Sequence, residues 1–442
     1  LIGSDRSGLV ARGCTTGILM VGPRGVDIGG PDAGQGNLIV GHRDRAIGYQ
    51  GGSNAELGGR IRGNRFGVGV DGTTPLPNIT TDAFANVPLI SGDTGPGALQ
   101  IGGVLPGEGN LFAYTGVGRL PTPSQPPFTT SPVVANPSRW AVQGNRFLDN
   151  NGTGIDLPGD FSVRQPNDAG DGDGNDSNPR QNFPVISAVS FPAAGQVQLT
   201  YRVDSAFANP PAPGQSRYPL NIEFHSANLG AGGALIGRDS YIGTDAQQDK
   251  TVTLALPPGL ALGPDDVIVA TATDSAGDLA SGQTSEFSFF ELESFSLVSV
   301  TPATVPAGAP YTVRVRAVAA GNLFKPRGLV QVIDSRGGRC DILLAAVAAA
   351  RTSEGECELA STGAPGNVQI TAAYNAALGA FARADGSSPP AVVGNVLLTT
   401  GVQTLERVSG THQYASAGST FAAPLRVRAV DGNGAPIAGA RV

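Results

Sequence analysis

The sequence predicts an all-β chain in which a solenoid of short strands is followed by tandem β-sandwiches. Glycine and proline, with 64 and 34 of the 442 residues, make up more than a fifth of the chain. Both residues disfavour helix interiors, so a helical protein is excluded as the starting expectation. A glycine-rich step recurs in the first part of the chain, and alternation of apolar and polar residues dominates the remainder.

Charge and hydropathy exclude two classes of function. A formal net charge of -7 provides no broad basic field that could hold a polyanion, so no nucleic-acid partner is expected. The longest apolar stretch, residues 342–350, is far shorter than the roughly 20 residues that span a bilayer. No transmembrane segment is therefore expected in this chain. Because the chain starts at Leu1 without a leader and stops in an incomplete strand, we expect a fragment whose export signal and anchor lie elsewhere.

The first element is an internal repeat built on a Gly-Asn step. The step occurs four times, and an apolar residue follows each copy within two positions, at Gly36-Asn37, Gly63-Asn64, Gly109-Asn110 and Gly144-Asn145. Gly and Asn tolerate positive φ, so the chain can turn a corner at each copy and direct the following apolar residue into a stacked core. A unit of roughly 25 residues with insertions fits a solenoid, whose rungs bury their apolar faces against one another. Residues 75–88 and 120–137 are predicted as loops that leave the stack.

Four stretches of this repeat resemble a known family. They read IGGPDAGQGNLIVG, IRGNRFGVGVDGTTPLPN, IGGVLPGEGNLF and VQGNRFLDNNGTGIDL, and they are similar to right-handed parallel β-helix repeats of large bacterial secreted and surface proteins. The resemblance covers residues 1–158 and implies a pectin-lyase-like fold. It is far less specific for function, because such β-helices include polysaccharide lyases, hydrolases, adhesins and plain spacers.

The next elements are an acidic linker and a first sandwich. Residues 159–184 are rich in Gly, Asn and Asp and are predicted to be a linker or a capping loop. In residues 185–294 the period-2 alternation, clearest at 197–203 and 251–256, predicts half-buried antiparallel strands. The stretches QNFPVI, NIEFHS and VIVATATDSAGDLASGQTSEFS resemble the β-sandwich module that follows such β-helices in bacterial surface proteins.

Two further strand-rich units complete the chain. In residues 295–398 the lead-in SVTPATVPAGAPYTV resembles bacterial immunoglobulin-like repeats, with the clearest strands at 311–316 and 368–374. Residues 399–442, through YASAGSTFAAPLRVRAVDGNGAPIAGARV, resemble a truncated invasin/intimin-type immunoglobulin-like domain with a hairpin turn at 431–434. The stretch 341–351 has helical propensity, but its context favours strand and loop over a short helix.

The cysteines and histidines offer one structural pair and no catalytic set. Cys340 and Cys357 share one predicted sandwich, and a disulfide between them would suit an exported domain, with two reduced thiols as the alternative. Cys14 is predicted to be a buried rung residue rather than a zinc ligand, since zinc takes about four clustered ligands. The three histidines fall in three different predicted modules, at His42, His225 and His412. They therefore support neither a histidine triad nor a zinc site.

An acidic loop in the linker is the one candidate for a bound cation. It offers several oxygen ligands of the kind that calcium takes, at Asp168, Asp171, Asp173 and Asp176. The spacing departs from an EF-hand, because the sixth and twelfth positions counted from Asp171 lack the required glycine and glutamate. A solvated linker is the alternative, and no other cofactor is expected.

No catalytic residue is predicted in the repeat. Glycoside hydrolysis needs two carboxylates about 5 to 9.5 Å apart, and a lyase needs carboxylate-bound calcium with a base. Asp27, Asp71 and Asp93 sit beside Gly or Ile at repeat or turn positions, where a carboxylate usually caps backbone amides. Trp140, the single tryptophan, is predicted to cover the core, with sugar stacking as the alternative.

The sequence therefore predicts a non-catalytic protein that is secreted or located at the outer cell surface. A rod of rungs and sandwiches projects loops from a surface, which suits an adhesive tip or a structural stalk. The partners expected are polysaccharide, a host or matrix surface, or neighbouring surface proteins. The alternative function is a polysaccharide-degrading β-helix enzyme, a lyase or a glycosidase, with accessory sandwich domains.

Overall fold

The structure, a computed structural model, is all-β, as the sequence predicted. It describes residues 1–21, 25–50, 59–78, 88–92, 99–116, 134–135, 140–157, 164–172, 181–209, 211, 216–229, 231–274, 282–399, 404–410, 412–430 and 436–437. Helical structure in these residues is limited to two 3₁₀ turns, at Gly243–Asp245 and Ala376–Leu378. Within the same ranges, no helix is long and apolar enough to cross a lipid bilayer.

The first part of the chain consists of short strands separated by glycine corners. In chain order they are β1 (Thr16–Val21), β2 (Val26–Gly29), β3 (Leu38–Ile39), β4 (Arg45–Gln50), β5 (Gly59–Arg62), β6 (Arg65–Phe66), β7 (Ile90–Gly92), β8 (Leu99–Gly102), β9 (Leu111–Ala113), β10 (Val134–Ala135), β11 (Trp140–Gln143), β12 (Arg146–Leu148) and β13 (Ile155–Asp156). Each of the four Gly-Asn steps lies immediately before a strand, namely β3, β6, β9 or β12. Most of the two loops predicted at 75–88 and 120–137 lies outside the described residues.

These strands form three sheets whose pairs are all parallel. The strand orders are β1-β4-β7-β10-β13, β2-β5-β8-β11 and β3-β6-β9-β12, so each strand pairs with the third strand after it. Each passage of the chain through the three sheets, which we call a rung, therefore adds one strand to each sheet. Side chains in register stack along the core, as Ile28, Ile61 and Ile101 do in the second sheet.

Two antiparallel sheets that pack face to face form the first sandwich. Its strands are β14 (Val185–Ser190), β15 (Gln196–Arg202), β16 (Leu220–Asn228), β17 (Ala231–Tyr241), β18 (Lys250–Ala255) and β19 (Ile268–Asp274). One sheet has the order β14-β15-β18 and the other β17-β16-β19. Between them the rings of Tyr201, Phe224 and Tyr241 pack with centroids 5.1 and 5.6 Å apart, as the period-2 pattern of β15 requires.

The second sandwich has the strand neighbours of an immunoglobulin-like domain. Its strands are β20 (Phe290–Thr301), β21 (Thr304–Pro306), β22 (Tyr311–Ala319), β23 (Leu329–Asp334), β24 (Arg339–Leu343), β25 (Ala345–Ala346), β26 (Thr352–Leu359), β27 (Gly366–Tyr374), β28 (Phe381–Ala382) and β29 (Val392–Thr399). One sheet contains the order β25-β26-β22-β20 and the other β29-β27-β23-β24. These are the D-E-B-A and G-F-C neighbours of the immunoglobulin fold, in which alternate side chains of both sheets fill the core.

Two local features differ from the sequence pattern in detail. The boundary predicted between the two sandwiches, at residues 294 and 295, falls inside strand β20. The first strand of the second sandwich therefore begins at Phe290. The stretch 341–351 contains strands β24 and β25 rather than a helix. Strands β30 (Thr404–Ser409) and β31 (Arg426–Val430) follow and pair antiparallel. The hairpin turn predicted at 431–434 comes after β31 and lies outside the described residues.

Candidate functional site

The repeat places one asparagine of each rung in a buried ladder. Asn64 Oδ1 accepts from the backbone N–H and the Nδ2 of Asn37, at 2.9 and 3.0 Å. Asn110 Oδ1 accepts the same two bonds from Asn64, and Asn145 Oδ1 accepts them from Asn110. The Nδ2 of each later asparagine also donates to the carbonyl of an isoleucine one rung earlier. The Gly-Asn step is thus a corner whose polar groups are satisfied by the neighbouring rungs.

An aromatic stack runs beside this ladder and ends on the first sandwich. Phe66 and Phe112 stack with centroids 4.7 Å apart, and Phe112 and Phe147 with centroids 5.3 Å apart. Phe287, in the segment that follows β19, then meets Phe147 edge-on at 5.5 Å. The core of the rungs therefore continues into the sandwich without a solvent gap at this position.

Glu223 of the first sandwich takes the place of a further rung after the last rung of the three parallel sheets. In an earlier rung, Gly63 N–H donates to the carbonyl of Glu108 in the next rung. In the last rung, Gly144 N–H donates instead to both oxygens of the Glu223 carboxylate, at 3.0 and 2.8 Å. Glu223 is 2% exposed, and Arg238 Nε donates to the same carboxylate at 2.7 Å. A side chain thus satisfies a backbone donor that would otherwise be orphaned at the end of the sheet.

Other side chains of the sandwich complete this closure. Val142 N–H donates to Thr284 Oγ1 at 2.8 Å, and Thr284 N–H donates to the Trp140 carbonyl at 3.2 Å. Asp149 N–H donates to Asn228 Oδ1 at 2.7 Å. We call the contact between the last rung, residues 140–157, and the sandwich residues Glu223, Asn228, Arg238, Thr284 and Phe287 the junction.

Arg164 ties the second sandwich to the same place. Its guanidinium is buried and donates to the Phe287 carbonyl of the first sandwich at 3.2 Å. It also donates to the Ala376 and Gly379 carbonyls of the second sandwich, at 3.2 and 2.9 Å. One side chain from the segment after the last rung therefore bonds to both sandwiches.

The electrostatics of the junction follow from burial and from the partners supplied there. Burial by itself raises the pKa of Glu223, but bonding and charge from His225, the charge of Arg238 and the Gly144 N–H together hold that pKa below its ordinary value. Burial lowers the pKa of Arg164, and the nearby charge of Glu286 opposes that effect. Glu223 in the junction and Arg164 beside it are thus charged groups whose burial depends on nearby partners.

Sequence reasoning missed these residues. Glu223 alternates with Ile222 and Phe224 along β16, a pattern typical of a strand with one face in solvent. The Glu223 side chain instead bonds to Gly144 of the last rung. The bonding partners lie far away in the chain, so no local signal could have identified Glu223 or Arg164.

The predicted cysteine pair comes together in the second sandwich. Strand β24 carries Cys340 and strand β26 carries Cys357, and the structure joins the two in a disulfide with Cα atoms 6.1 Å apart. Cys14, in contrast, is exposed, so its prediction as a buried rung residue was wrong. It precedes β1, the edge strand of its sheet in the described residues, and for that reason its side chain meets solvent.

Two of the four aspartates predicted to bind calcium, Asp173 and Asp176, lie outside the described residues. Asp171 is buried, and its carboxylate accepts from Asn182 N–H at 2.8 Å and from the hydroxyls of Ser205 and Ser216. Asp168 Oδ2 accepts from Gly172 N–H at 2.9 Å. Among the described residues no group of three or more Asp, Glu, His or Cys could hold a metal ion. A calcium site formed by the four aspartates stays a prediction.

Three acids of the described rungs, Asp27, Asp71 and Glu108, are engaged in a turn or in ion pairs. Asp71 Oδ1 accepts from the N–H groups of Thr73 and Thr74, and hydrogen bonding, chiefly from Thr74, lowers its pKa to about 2. Arg62 pairs with Glu108 at 3.0 Å and with Asp27 at 3.5 Å. Asp93 lies outside the described residues.

The remaining predicted residues fall in separate places. His42 lies in the first rungs, His225 in β16 of the first sandwich and His412 between β30 and β31, so the structure does not bring them together. Trp140 is 3% exposed and packs 6.1 Å from the Tyr49 ring, which confirms that it covers the core.

Comparisons with known proteins give only distant likenesses. No protein-family model matches the chain, and no curated protein matches it in sequence. The FN1-FN3 domains of chicken CNTN1 are 8% identical with a TM-score of 0.15, over 50% of this chain and 69% of that chain. The Escherichia coli adhesin FdeC is 12% identical with a TM-score of 0.20, over 59% and 76% of the respective chains.

A third solved structure is a tetra-tandem repeat from the extending region of a large adhesion protein. It is 11% identical with a TM-score of 0.17, over 57% of this chain and 64% of that chain. Scores this low assign no function to the present chain, so the functional argument rests on its own contacts.

Proposed function

We propose that residues 1–158 form a right-handed parallel β-helix that serves as the first part of a rigid, non-catalytic stalk. The all-parallel pairing of each strand with the third strand after it supports the solenoid, as do the asparagine ladder and the phenylalanine stack. A solenoid has exposed strand edges at its ends and needs a cap to be soluble and stable.

The observation that carries the proposal is the junction. Glu223 and Thr284 bond to the backbone of the last rung where another rung would otherwise pair. Arg164 then links both sandwiches. A chain whose modules are joined by buried hydrogen bonds transmits force and holds its loops at a fixed distance, which is what a stalk or an adhesive tip requires.

The proposed location is the cell exterior or the outer cell surface. A disulfide between Cys340 and Cys357 fits an oxidising compartment. The proposed partners are polysaccharide, a host or matrix surface, or neighbouring surface proteins. The alternative, a polysaccharide-degrading enzyme, is less well supported because Asp27, Asp71 and Glu108 are occupied by turns and ion pairs.

A single binding and cleavage experiment separates these functions. Purified protein is incubated, with and without calcium, with immobilised plant, microbial and host polysaccharides, and bound protein and released fragments are scored together. Binding without release of fragments supports an adhesive role. If the protein neither binds nor releases any polysaccharide, the result supports a stalk or a chain that binds proteins. Released sugar fragments would overturn the proposal and redirect the search to the carboxylates of the first 158 residues. Asp168→Asn is the matched variant for any calcium-dependent signal.

A further inference from the structure

Strand β24 forms an open edge of the second sandwich. It is the last strand of the order β21-β29-β27-β23-β24, and no strand of the described residues pairs with its outer side. Two of its side chains are exposed, Asp341 and Leu343, the latter at 65%. A free strand edge carries unpaired N–H and C=O groups to which a strand of another chain can bond.

The ladder between β23 and β24 shows which backbone groups of β24 are free. Leu344 N–H, just beyond the strand, donates to the Gly328 carbonyl at 3.1 Å. Bonded residues alternate along an antiparallel pair, so every second residue counted back from Leu344 bonds to β23. The residues between them direct their N–H and C=O groups to the outer edge, and they are Arg339, Asp341 and Leu343.

The outer edge of β24 lacks features that usually protect a free edge. Its pairing with β23 contains no bulge, and the strand has no proline and no lysine. In contrast, β21 at the opposite edge of the same sheet is three residues long and ends in Pro306. The edge strand β14 of the first sandwich has a bulge between Ile186 and Ala188. Short strands, prolines and bulges discourage pairing with another chain, so β24 is more open to such pairing than these two edges.

The two charged side chains of β24 have opposite signs and lie on one face. Cys340 between them points inward to its disulfide with β26, so Arg339 and Asp341 both point outward. Arg339 is half-buried, and its Nη1 has no hydrogen-bond partner among the described residues. Burial raises the pKa of Asp341, and no neighbouring cation opposes this effect. Each charge therefore gains from a partner supplied by another molecule.

We propose that two copies of the chain pair through β24, antiparallel and related by a two-fold axis beside Cys340. This register sets Arg339 of each copy opposite Asp341 of the other, and the facing residues exchange backbone hydrogen bonds. An axis beside Asp341 would set two carboxylates opposite each other, and an axis beside Arg339 would set two guanidinium groups opposite each other. Like charges in these positions destabilise a strand pair, so the charges select the register centred on Cys340.

The pairing joins two five-stranded sheets into one continuous sheet. The partner is a second copy of this chain because the edge is self-complementary. A two-fold axis brings the same strand of both molecules together, and this strand carries both members of the required ion pair.

The test is sedimentation velocity of the whole chain from nanomolar to high micromolar concentrations. The unmodified chain should form a dimer that dissociates on dilution. Asp341→Arg and Arg339→Asp each place like charges in both pairs, so each variant alone should dimerise at least about tenfold more weakly. An equal mixture of the two variants restores both opposite-charge pairs and should form a heterodimer. A purely structural role of these residues would not produce this rescue.

Gln369→Arg is the matched control. Gln369 is exposed on the outward face of the same sheet, in the interior strand β27. A new charge there blocks face-to-face packing of two sheets but leaves the edge of β24 free, so the dimer should persist. Amides of residues 339–343 should also exchange more slowly at high than at low concentration.

Four results would overturn the proposal. They are a chain that stays monomeric at all concentrations, a dimer that neither single variant weakens, a mixture that forms no heterodimer, and loss of the dimer in Gln369→Arg. None of these results bears on the stalk proposal, which is tested by polysaccharide binding and cleavage.

Discussion

Replacing Asn110 with alanine tests whether the asparagine ladder holds the rungs together. The Asn110 side chain accepts from Asn64 N–H at 2.9 Å and donates to the Ile61 carbonyl at 2.7 Å. Asn110→Ala leaves the buried Asn64 N–H without its acceptor, which costs about 1 to 3 kcal/mol. Loss of the bond to Ile61 adds about 1 kcal/mol. The free energy of unfolding should therefore fall by about 2 to 4 kcal/mol.

Asn37→Ala is the matched control, because Asn37 is the first member of the ladder. It is half-buried, and its Nδ2 donates to Asn64 Oδ1 at 3.0 Å. Its removal leaves no backbone N–H of another rung unsatisfied among the described residues, so the expected cost is about 1 kcal/mol or less.

Urea unfolding followed by the fluorescence of Trp140 measures both variants. This residue is the only tryptophan of the chain and is buried in the last rung, so its emission reports the unfolding of the rungs. Asn110→Ala should be less stable than Asn37→Ala by about 2 kcal/mol. Equal losses in the two variants would refute the ladder as the source of rung-to-rung stability.

Three further predictions concern the modules. Because the pKa of Glu223 is lower in the folded chain than its ordinary 4.5, its stabilising contribution is present above about pH 4.5 and lost as the pH falls through the folded value. Glu223→Gln should therefore flatten the acid dependence of the Trp140 transition; an unchanged acid slope would contradict this. Arg164→Met should destabilise the chain by about 3 to 5 kcal/mol, because it strips a buried charge from its partners, and thermal unfolding that matches the parent would count against it. The double variant Cys340→Ser, Cys357→Ser should lose roughly 3 kcal/mol in urea unfolding followed by circular dichroism, through the freed loop, and no loss would show that the bond is dispensable.

Local sequence patterns predicted the strands well. The alternation at 197–203 and 251–256 matches β15 and β18 within one residue at each end. The four Gly-Asn steps also marked the corners. Of their residues only Gly63 and Gly144 have a positive φ, and the asparagines act through hydrogen bonds to neighbouring rungs. Alternation reports which strands have a polar face, but not what that face meets.

Long-range partners explain what the sequence could not show. Glu223 bonds to Gly144 and Arg164 bonds to Gly379. Residues so far apart in the chain are not linked by any periodic sequence pattern. Cys14 was predicted to be buried because rung residues usually are. It is exposed because β1 is the edge strand of its sheet in the described residues.

Amide hydrogen exchange read by mass spectrometry tests the central claim, that the first sandwich closes the proposed solenoid. If it does, amides of β11 should be protected as strongly as those of β8, an interior strand of the same sheet. The double variant Glu223→Gln, Thr284→Val should lose protection around Val142 and Gly144 while β5 keeps its own. A β11 that exchanges rapidly in the parent chain, or that is unaffected in the double variant, would contradict the account.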